Sequence, residues 1–366
     1  MTGDQRFDLA VVGAGIVGLG HAAAAAERGL RVVVIDRATA ITGASIRNFG
    51  HIGTSVHTGA ARSYAERSRE IWLGLGQRAG FWLRESGSIL VARADDEMAV
   101  LEEAGLGDLL TAAQVTVHAP VVGAVGGMRR SEDLQVDPRE AAPAIARYLE
   151  AQGVEFRWRT TALEVSPGIL ATSRGEITAD AIVVCVNVDV DQLFPAIAEQ
   201  YGVERCGLDM LLADGVGLRV PLLTGTSMLR YRAFASTSAA TAVRERYARE
   251  QPEVFERDVN QMYTERPDGT LLVGDTHYRG TAIPPFQDEV AFELLARLSA
   301  ELFGAPLRIR QRWQGVYATA PDDFLIAAPG PGIRVVSVTT GIGMTTGLGL
   351  AATVIDDLFG PPGGIR

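Results

Sequence analysis

Gly13, Gly15 and Gly18 stand in the spacing G-x-G-x-x-G, and an acid, Asp36, follows eighteen positions after the last of them. Such a set can bind a dinucleotide. Gly13 permits a tight turn, Gly15 lets a pyrophosphate approach the backbone, and Gly18 lets a helix pack on its strand; Asp36 can accept hydrogen bonds from ribose hydroxyls. Arg37 would suit a 2′-phosphate, but the acid beside it argues against one, and a solvated arginine fits better. Near the other end of the chain lies Gly341-Ile342-Gly343-Met344-Thr345-Thr346-Gly347. Where it enters a helix it offers a positive dipole end to negative charge on a ligand. From Thr42 to Gly53 the chain carries Ser45, Arg47, Asn48 and His51, donors able to line an extended cofactor. His51 and His277 are the titratable candidates for chemistry on a small substrate. Tyr278 and Tyr317 could support them, and Arg47 could serve as a cation for an acidic group.

These residues need elements to hold them. Phe7 to Val12 is an apolar run of strand length, the alanine-rich stretch to Arg28 is helical, Gly29 ends it, and Arg31 to Ile35 is a second strand. The register of strand, glycines, helix, strand and acid predicts a βαβ unit, so the phosphates meet free N–H groups at the helix start. It also explains Leu9 to Ala26 better than a signal segment does, because no basic n-region precedes it. Ile46, Phe49 and Ile52, three apart, predict a partly buried segment. Helices are expected over 64–78, 95–104 and 288–302, a strand over 88–92, and a connection over 123–133. Asp137 and Pro138 are cap and first residue of a helix running to about Ala151. Val154 to Arg159 alternates as a half-exposed strand, and Ala181 to Val186 suits a buried parallel one. Cys185 falls in that run and is expected in the core. Arg334 to Val338 is a strand, Thr339 to Gly347 a loop and Leu348 to Leu358 a helix; Pro361 to Gly364 reads as a helix stop. The expected fold class is α/β. Residues 1–87, 137–206 and 305–366 form a cofactor domain, and 88–136 and 207–304 form an inserted α+β substrate domain.

Composition narrows the chemistry. All 34 basic residues other than histidine are arginine. Without lysine there is no pyridoxal-phosphate Schiff base, no P-loop lysine and no lysine nucleophile. A net charge of −10 argues against nucleic acid or an anionic membrane surface as partner. Two cysteines, Cys185 and Cys206, make neither a disulfide framework nor a metal cluster, so a cytoplasmic protein without a metal site or membrane insertion is expected.

The chain resembles the D-amino-acid-oxidase-like FAD-dependent oxidoreductases, the family of glycine oxidase and sarcosine oxidase. The resemblance covers nearly the whole chain. Its motifs are the N-terminal fingerprint with Asp36, Gly43-Ala44-Ser45, Val136-Asp137-Pro138, Thr161-Ala162-Leu163, and the run from Trp313-Gln314-Gly315 through Asp322 to the Gly341–Gly347 loop. It implies a glutathione-reductase-like FAD domain covered by a sheet-based substrate domain. Gly13, Gly15 and Gly18 would touch the pyrophosphate, Asp36 the ribose, Ser45 a phosphate and Ala162 the adenine. Gly341, Gly343, Met344 and Thr345 would border the flavin. Arg37 and Asn48 complete the candidate cofactor set. Covalent members use a late cysteine or an early histidine; no cysteine follows Cys206, which leaves His51. The string Gly43 to Ile52 is similar to a branch linked with aminophosphonate breakdown.

The resemblance implies oxidation of an amine C–N bond, with hydride passing to FAD and the imine hydrolysing, and with oxygen or another electron acceptor closing the cycle. His51, His277, Tyr317 and Arg47 are the expected catalytic set. Two departures stand out. Several family members place an arginine for the substrate's acid just beyond the Trp-x-Gly turn, where this chain has Tyr317. Some place a lysine over the flavin to help oxygen, which this chain cannot do. A nicotinamide-dependent dehydrogenase, a flavin-dependent hydroxylase and a noncatalytic flavoprotein remain as alternatives.

Overall fold

The computed structural model describes residues 6–361. The opening unit forms as its pattern demands: β1 (Phe7–Val12), α1 (Ile16–Ala26) and β2 (Val32–Asp36). Next come α2 (Gly59–Ala79), β3 (Ser88–Ala92), β4 (Asp108–Thr111) and β5 (Gly126–Arg130). The middle holds α3 (Pro138–Ala151), β6 (Glu155–Trp158), β7 (Gly175–Val184), β8 (Glu204–Asp214), β9 (Leu222–Leu223) and α4 (Gly225–Arg230). The chain ends with β10 (Met262–Glu265), β11 (Thr270–Gly274), α5 (Glu289–Phe303), β12 (Ile309–Ala327), β13 (Ile333–Thr340) and α6 (Gly343–Phe359).

One sheet runs in the order β4-β5-β3-β9-β10-β11-β8-β12-β13-β7-β1-β2-β6. From β13 to β6 the strands are parallel, with Val11 opposite Val183 and Val34. Such strands bury both faces. Leu9, Val11, Val32 and Val34 therefore pack toward α1, α2, α3 and α6, while Phe7, Val12, Val33 and Ile35 pack on the other side with Leu170 and Ile177. A separate apolar cluster around Leu90, Phe234, Tyr263 and Leu295 underlies the other half, so three apolar clusters share one sheet. Leu134–Val136 pairs with His51–Ile52 and Leu83–Arg84 and packs in the parallel half's core.

Two expectations are corrected. The expected connection 123–133 contains β5. Its glycines are there because the strand is crowded: a Cβ on Gly126 would lie 2.7 Å from the Met98 sulfur, and one on Gly127 2.5 Å from the Leu90 carbonyl oxygen. The glycine-threonine loop is also shorter than expected, since α6 begins at Gly343 and not at Leu348. Gly349 sits where a Cβ would meet the Tyr64 carbonyl oxygen at 2.2 Å, so small residues in this helix admit α2 at close range. At the start of α3, Asp137 Oδ1 accepts the Arg139 N–H with Pro138 following, as the cap pattern predicts. Pro362 to Gly364 lie outside the described residues.

Candidate active site

A cavity of about 1200 Å³ opens at the carboxyl ends of β1, β2 and β13. It exceeds the range of roughly 300–1000 Å³ usual for small-ligand sites, as a groove for a dinucleotide plus substrate should. Gly13, Gly15, Asp36, Arg37, Ser45, Arg47, Asn48, Ala162, His277, Tyr317, Gly341, Gly343 and Met344 all line it. Residues scattered from one end of the chain to the other thus meet at one wall.

The β1–α1 turn is closely packed against the end of β7. Gly13 has φ 104°, and a Cβ there would stand 2.4 Å from the Cys185 carbonyl oxygen. Gly18 is not in the cavity wall; a Cβ there would meet the Gly13 carbonyl oxygen at 1.9 Å, so its bareness serves helix–strand packing. Ser45 Oγ accepts the Ile16 N–H at 2.8 Å and so fixes the loop against the first turn of α1. Asp36 ties down the same turn, accepting the Ala14 and Ala38 N–H groups at 2.9 and 2.8 Å, and it lines the cavity with lone pairs to spare. Arg37 is paired with Asp189 at 2.6 Å. Asn48 spends its amide inside the loop, donating to the Ala44 carbonyl and accepting the Gly50 N–H. Ala162 opens the strand Ala162–Ser166 at the far end. These features fit FAD: an anion-accepting helix start, an acid at the end of the second strand, and backbone kept bare by glycine.

At the opposite end, Gly341 has φ 78° and lies against the Tyr317 ring, where a Cβ would come within 3.0 Å. Gly343 starts α6, and the Met344 backbone oxygen accepts the Trp72 indole N–H at 2.8 Å. Thr345 faces away from the large cavity; its Oγ1 accepts the Gly53 N–H. With His51 and His57 it lines a neighbouring chamber of about 70 Å³. His51 therefore lines this chamber and not the large cavity, although Asn48, Gly341 and Met344 line both. Its Nε2 lies 3.1 Å from Asp133, which also accepts from Ser88 and Ser55. Burial alone would push the Asp133 carboxyl up; the bonds from His51, Ser88 and Ser55 outweigh it and hold the group below the usual range.

His277 and Tyr317 do meet, at a cation that no local motif announces. Arg230, the last residue of α4, lies half-buried in the cavity wall and donates to the Tyr317 hydroxyl at 3.0 Å. Burial pulls its pKa down, but Tyr317, Asp275 and Asp258 more than offset this, so the guanidinium stays charged. Burial pushes the Tyr317 phenol up and out of reach of physiological pH, leaving it a neutral donor. Asp275 and Asn260 line the same wall. Arg47, by contrast, is exposed and donates to the Gln314 carbonyl at 3.2 Å. Arginine is too common in this chain for its type alone to have marked position 230.

Residues 8–356 match the family described as FAD dependent oxidoreductase, DAO. The chain belongs to that family. As an FAD-dependent oxidoreductase it is an enzyme with FAD as cofactor, and its architecture recurs in solved structures of low identity. Glycine oxidase from Geobacillus kaustophilus is 19% identical, with 96% of this chain and 94% of that one covered and a TM-score of 0.76. L-proline dehydrogenase from P. horikoshii is 17% identical over 97% and 94%, with a TM-score of 0.79. Iminodiacetate oxidase from Chelativorans sp. BNC1 is 15% identical over 98% and 97%, with a TM-score of 0.77. No curated protein matches by sequence. Among the described residues, no helix is long and apolar enough to cross a membrane, and no cluster of His, Cys, Asp and Glu could hold a metal.

Proposed function

We propose that this enzyme oxidises the C–N bond of a small amine that bears an acidic group: an amino acid, or an aminoalkylphosphonate or its N-methyl derivative. Arg230 carries this reading. A fixed cation beside a neutral phenol, in the wall that also holds Gly341, is suited to a carboxylate or phosphonate whose amine-bearing carbon then lies toward the Gly341–Met344 edge. The resemblance of the string Gly43 to Ile52 to an aminophosphonate-linked branch favours the phosphonate among the acids. Glycine oxidase, L-proline dehydrogenase and iminodiacetate oxidase, which share the fold, are each named for an amino-acid or amine substrate.

FAD, when bound, supplies the two-electron acceptor. The chain's own residues orient the substrate and exclude water. Arg230 holds the acid, Tyr317 donates to it, and Thr281, Ala282, Ile283 and Pro285 complete the wall. The imine that leaves hydrolyses in water to a carbonyl compound and an amine. With no lysine in the chain, Arg230 is the cation set beside the substrate in this reading, and the terminal acceptor is oxygen or another oxidant. Because Arg230, Asp275 and His277 all come from 207–304, that segment with 88–136 serves as the substrate unit, and the remaining segments hold FAD. A cytoplasmic setting suits the two buried thiols.

An anaerobic screen tests this. The FAD-loaded enzyme is mixed with glycine, sarcosine, D-amino acids, 2-aminoethylphosphonate and its N-methyl form, and loss of flavin absorbance is followed. Bleaching by the phosphonates ahead of the others is expected. Glycine ahead of every phosphonate would remove the phosphonate preference, and no bleaching by any amine would remove amine oxidation.

A further inference from the structure

A hydride can leave an amine only when the nitrogen lone pair is free, yet at neutral pH aliphatic amines are almost wholly ammonium ions, with pKa values near ~10. A group that receives the extra proton would remove this barrier. Arg230 and Tyr317 cannot, since one stays charged and the other stays neutral. The wall beside them contains a pair that can.

His277 Nδ1 lies 2.8 Å from the Asp258 backbone oxygen. A carbonyl only accepts, so Nδ1 carries the hydrogen and the neutral ring's lone pair is on Nε2. Nε2 in turn faces Asp275 Oδ2 at 3.5 Å. Two acceptors opposed across that distance call for a proton, held by one of them or brought by a ligand. Asp275 Oδ1 has no hydrogen-bond partner at all, although the residue is buried. Backbone bonds between Asp275 and Asn260, 2.8 and 2.7 Å, fix the segment. Both side chains line the large cavity with Arg230 and Tyr317.

We propose that Asp275 and His277 are the proton-accepting pair of the site, taking the ammonium proton of the bound substrate before its α-hydrogen departs. This rests on the amine-oxidation reading above. In the step an N–H bond of the ammonium breaks and an O–H bond of Asp275 forms, with Nε2 of His277 sharing the proton. Ammonium and carboxylate become amine and carboxylic acid, no electrons leave the substrate in this step, and the proton later passes to water.

The surroundings suit the task. Burial pushes the Asp275 carboxyl up to about 7, with Arg230 and the Asn260 hydrogen bond pulling the other way and Asp258 adding to the rise. Burial, then Arg230 and Arg279, push His277 well below its ordinary value against the bond to Asp258. Tyr231 and Tyr317 also line this pocket, the buried Cys206 interacts electrostatically with Asp275, and burial holds all three neutral. Asp275 is thus the group that changes charge near neutrality, and His277 the neutral acceptor beside it.

The test uses the FAD-loaded enzyme and 2-aminoisobutyrate or its phosphonate counterpart, chosen by the screen above; neither has an α-hydrogen, so neither is oxidised. Titration calorimetry in buffers of different ionisation enthalpy counts the protons released on binding between pH 6 and 8.5. Wild type should release close to one proton at the acid end, where the pair is already occupied, and close to none at the alkaline end. Asp275→Asn should make the release independent of pH. It should also lower the rate of flavin reduction at pH 7 by tenfold or more, recovering toward wild type as the medium itself deprotonates the amine; His277→Gln should shift the wild-type midpoint. Release by wild type that is flat across the range would overturn the pair even if Asp275→Asn fails to hold FAD. So would an Asp275→Asn enzyme with the wild-type pH profile. A wild type that no amine reduces would instead sink the function on which the pair rests.

Discussion

At the dinucleotide end of the cavity, polar atoms belong largely to the backbone, and the few side chains there are committed to holding it: Ser45 to the Ile16 N–H, Asp36 to Ala14 and Ala38, Asn48 to Ala44 and Gly50. At the Tyr317 end the wall is ionisable side chains, Arg230, Asp275 and His277, from two separate stretches of chain, and part of their bonding capacity is unspent. The first end suits a ligand that never changes. The second suits one that must be bound, altered and released, because spare donors and acceptors can be redirected at each stage. Substitutions at the two ends should therefore fail differently.

The largest effect is expected from Gly15→Val. Gly15 has an ordinary backbone conformation, φ −70°, so the change brings no backbone strain, but the branched side chain fills the approach to the α1 turn and crowds Ser45, whose Oγ is already 3.2 Å from a Cβ. FAD affinity should fall by at least about a hundredfold, read by fluorescence titration, while the fold persists. If the variant binds FAD normally, the assignment of that end is wrong.

Arg230→Met comes next, and it should leave FAD in place. Removing the cation from a desolvated acid costs about 2–5 kcal/mol, roughly 30- to 5000-fold in kcat/KM. Arg230→Lys should fall between, because a point charge replaces a planar fork. Tyr317→Phe should cost about tenfold, one hydrogen bond to a charged group. Flavin spectra and stopped-flow reduction of each variant read both ends at once. Equal losses of FAD and of reduction would erase the distinction between them.

The same difference decides how much was legible in the sequence. The dinucleotide end is local: the alternation from Phe7 to Asp36 and the glycine spacing are consequences of strand, turn and helix geometry within thirty residues, so type and spacing suffice. Parallel strands and the α3 cap were readable for the same reason. The strand 126–130 was not, because glycine usually marks a turn, and only the close approach of Leu90 and Met98 explains it here. His51 was conspicuous by position, yet its partner Asp133 is eighty-two residues away and draws it out of the large cavity. Arg230 was hidden by the opposite problem, a chain full of arginine in which only the tertiary fold selects the one beside Tyr317. Asp275, two residues before His277, carried no signal of its own, because burial, which sets the proton affinities of both, is not a property of the sequence.

The smallest expected effect bears on how the dinucleotide end is supported from below. His21 lies in α1 with no exposure, its Nδ1 2.8 Å from the Val17 carbonyl, its ring near the Cys185 sulfur, and its Nε2 without a partner. Burial lowers its pKa to about 4. A histidine depressed in the folded state favours folding above its unfolded value of 6.5, and the contribution is lost as pH falls from there through about 4, because the unfolded chain binds the proton first. The loss is about 3 kcal/mol for a fully buried ring. His21→Leu should therefore leave stability at pH 7.5 within about 1 kcal/mol of wild type, exchanging one hydrogen bond for an unpaired nitrogen removed. The fall in Tm between pH 6.5 and 4.5 should be shallower than in wild type, though not absent, since His57 is depressed to about 4 by burial as well. Parallel Tm curves for the two proteins would mean that His21 finds a partner or water at Nε2, and that the floor of the dinucleotide end is as adaptable as the wall around Arg230.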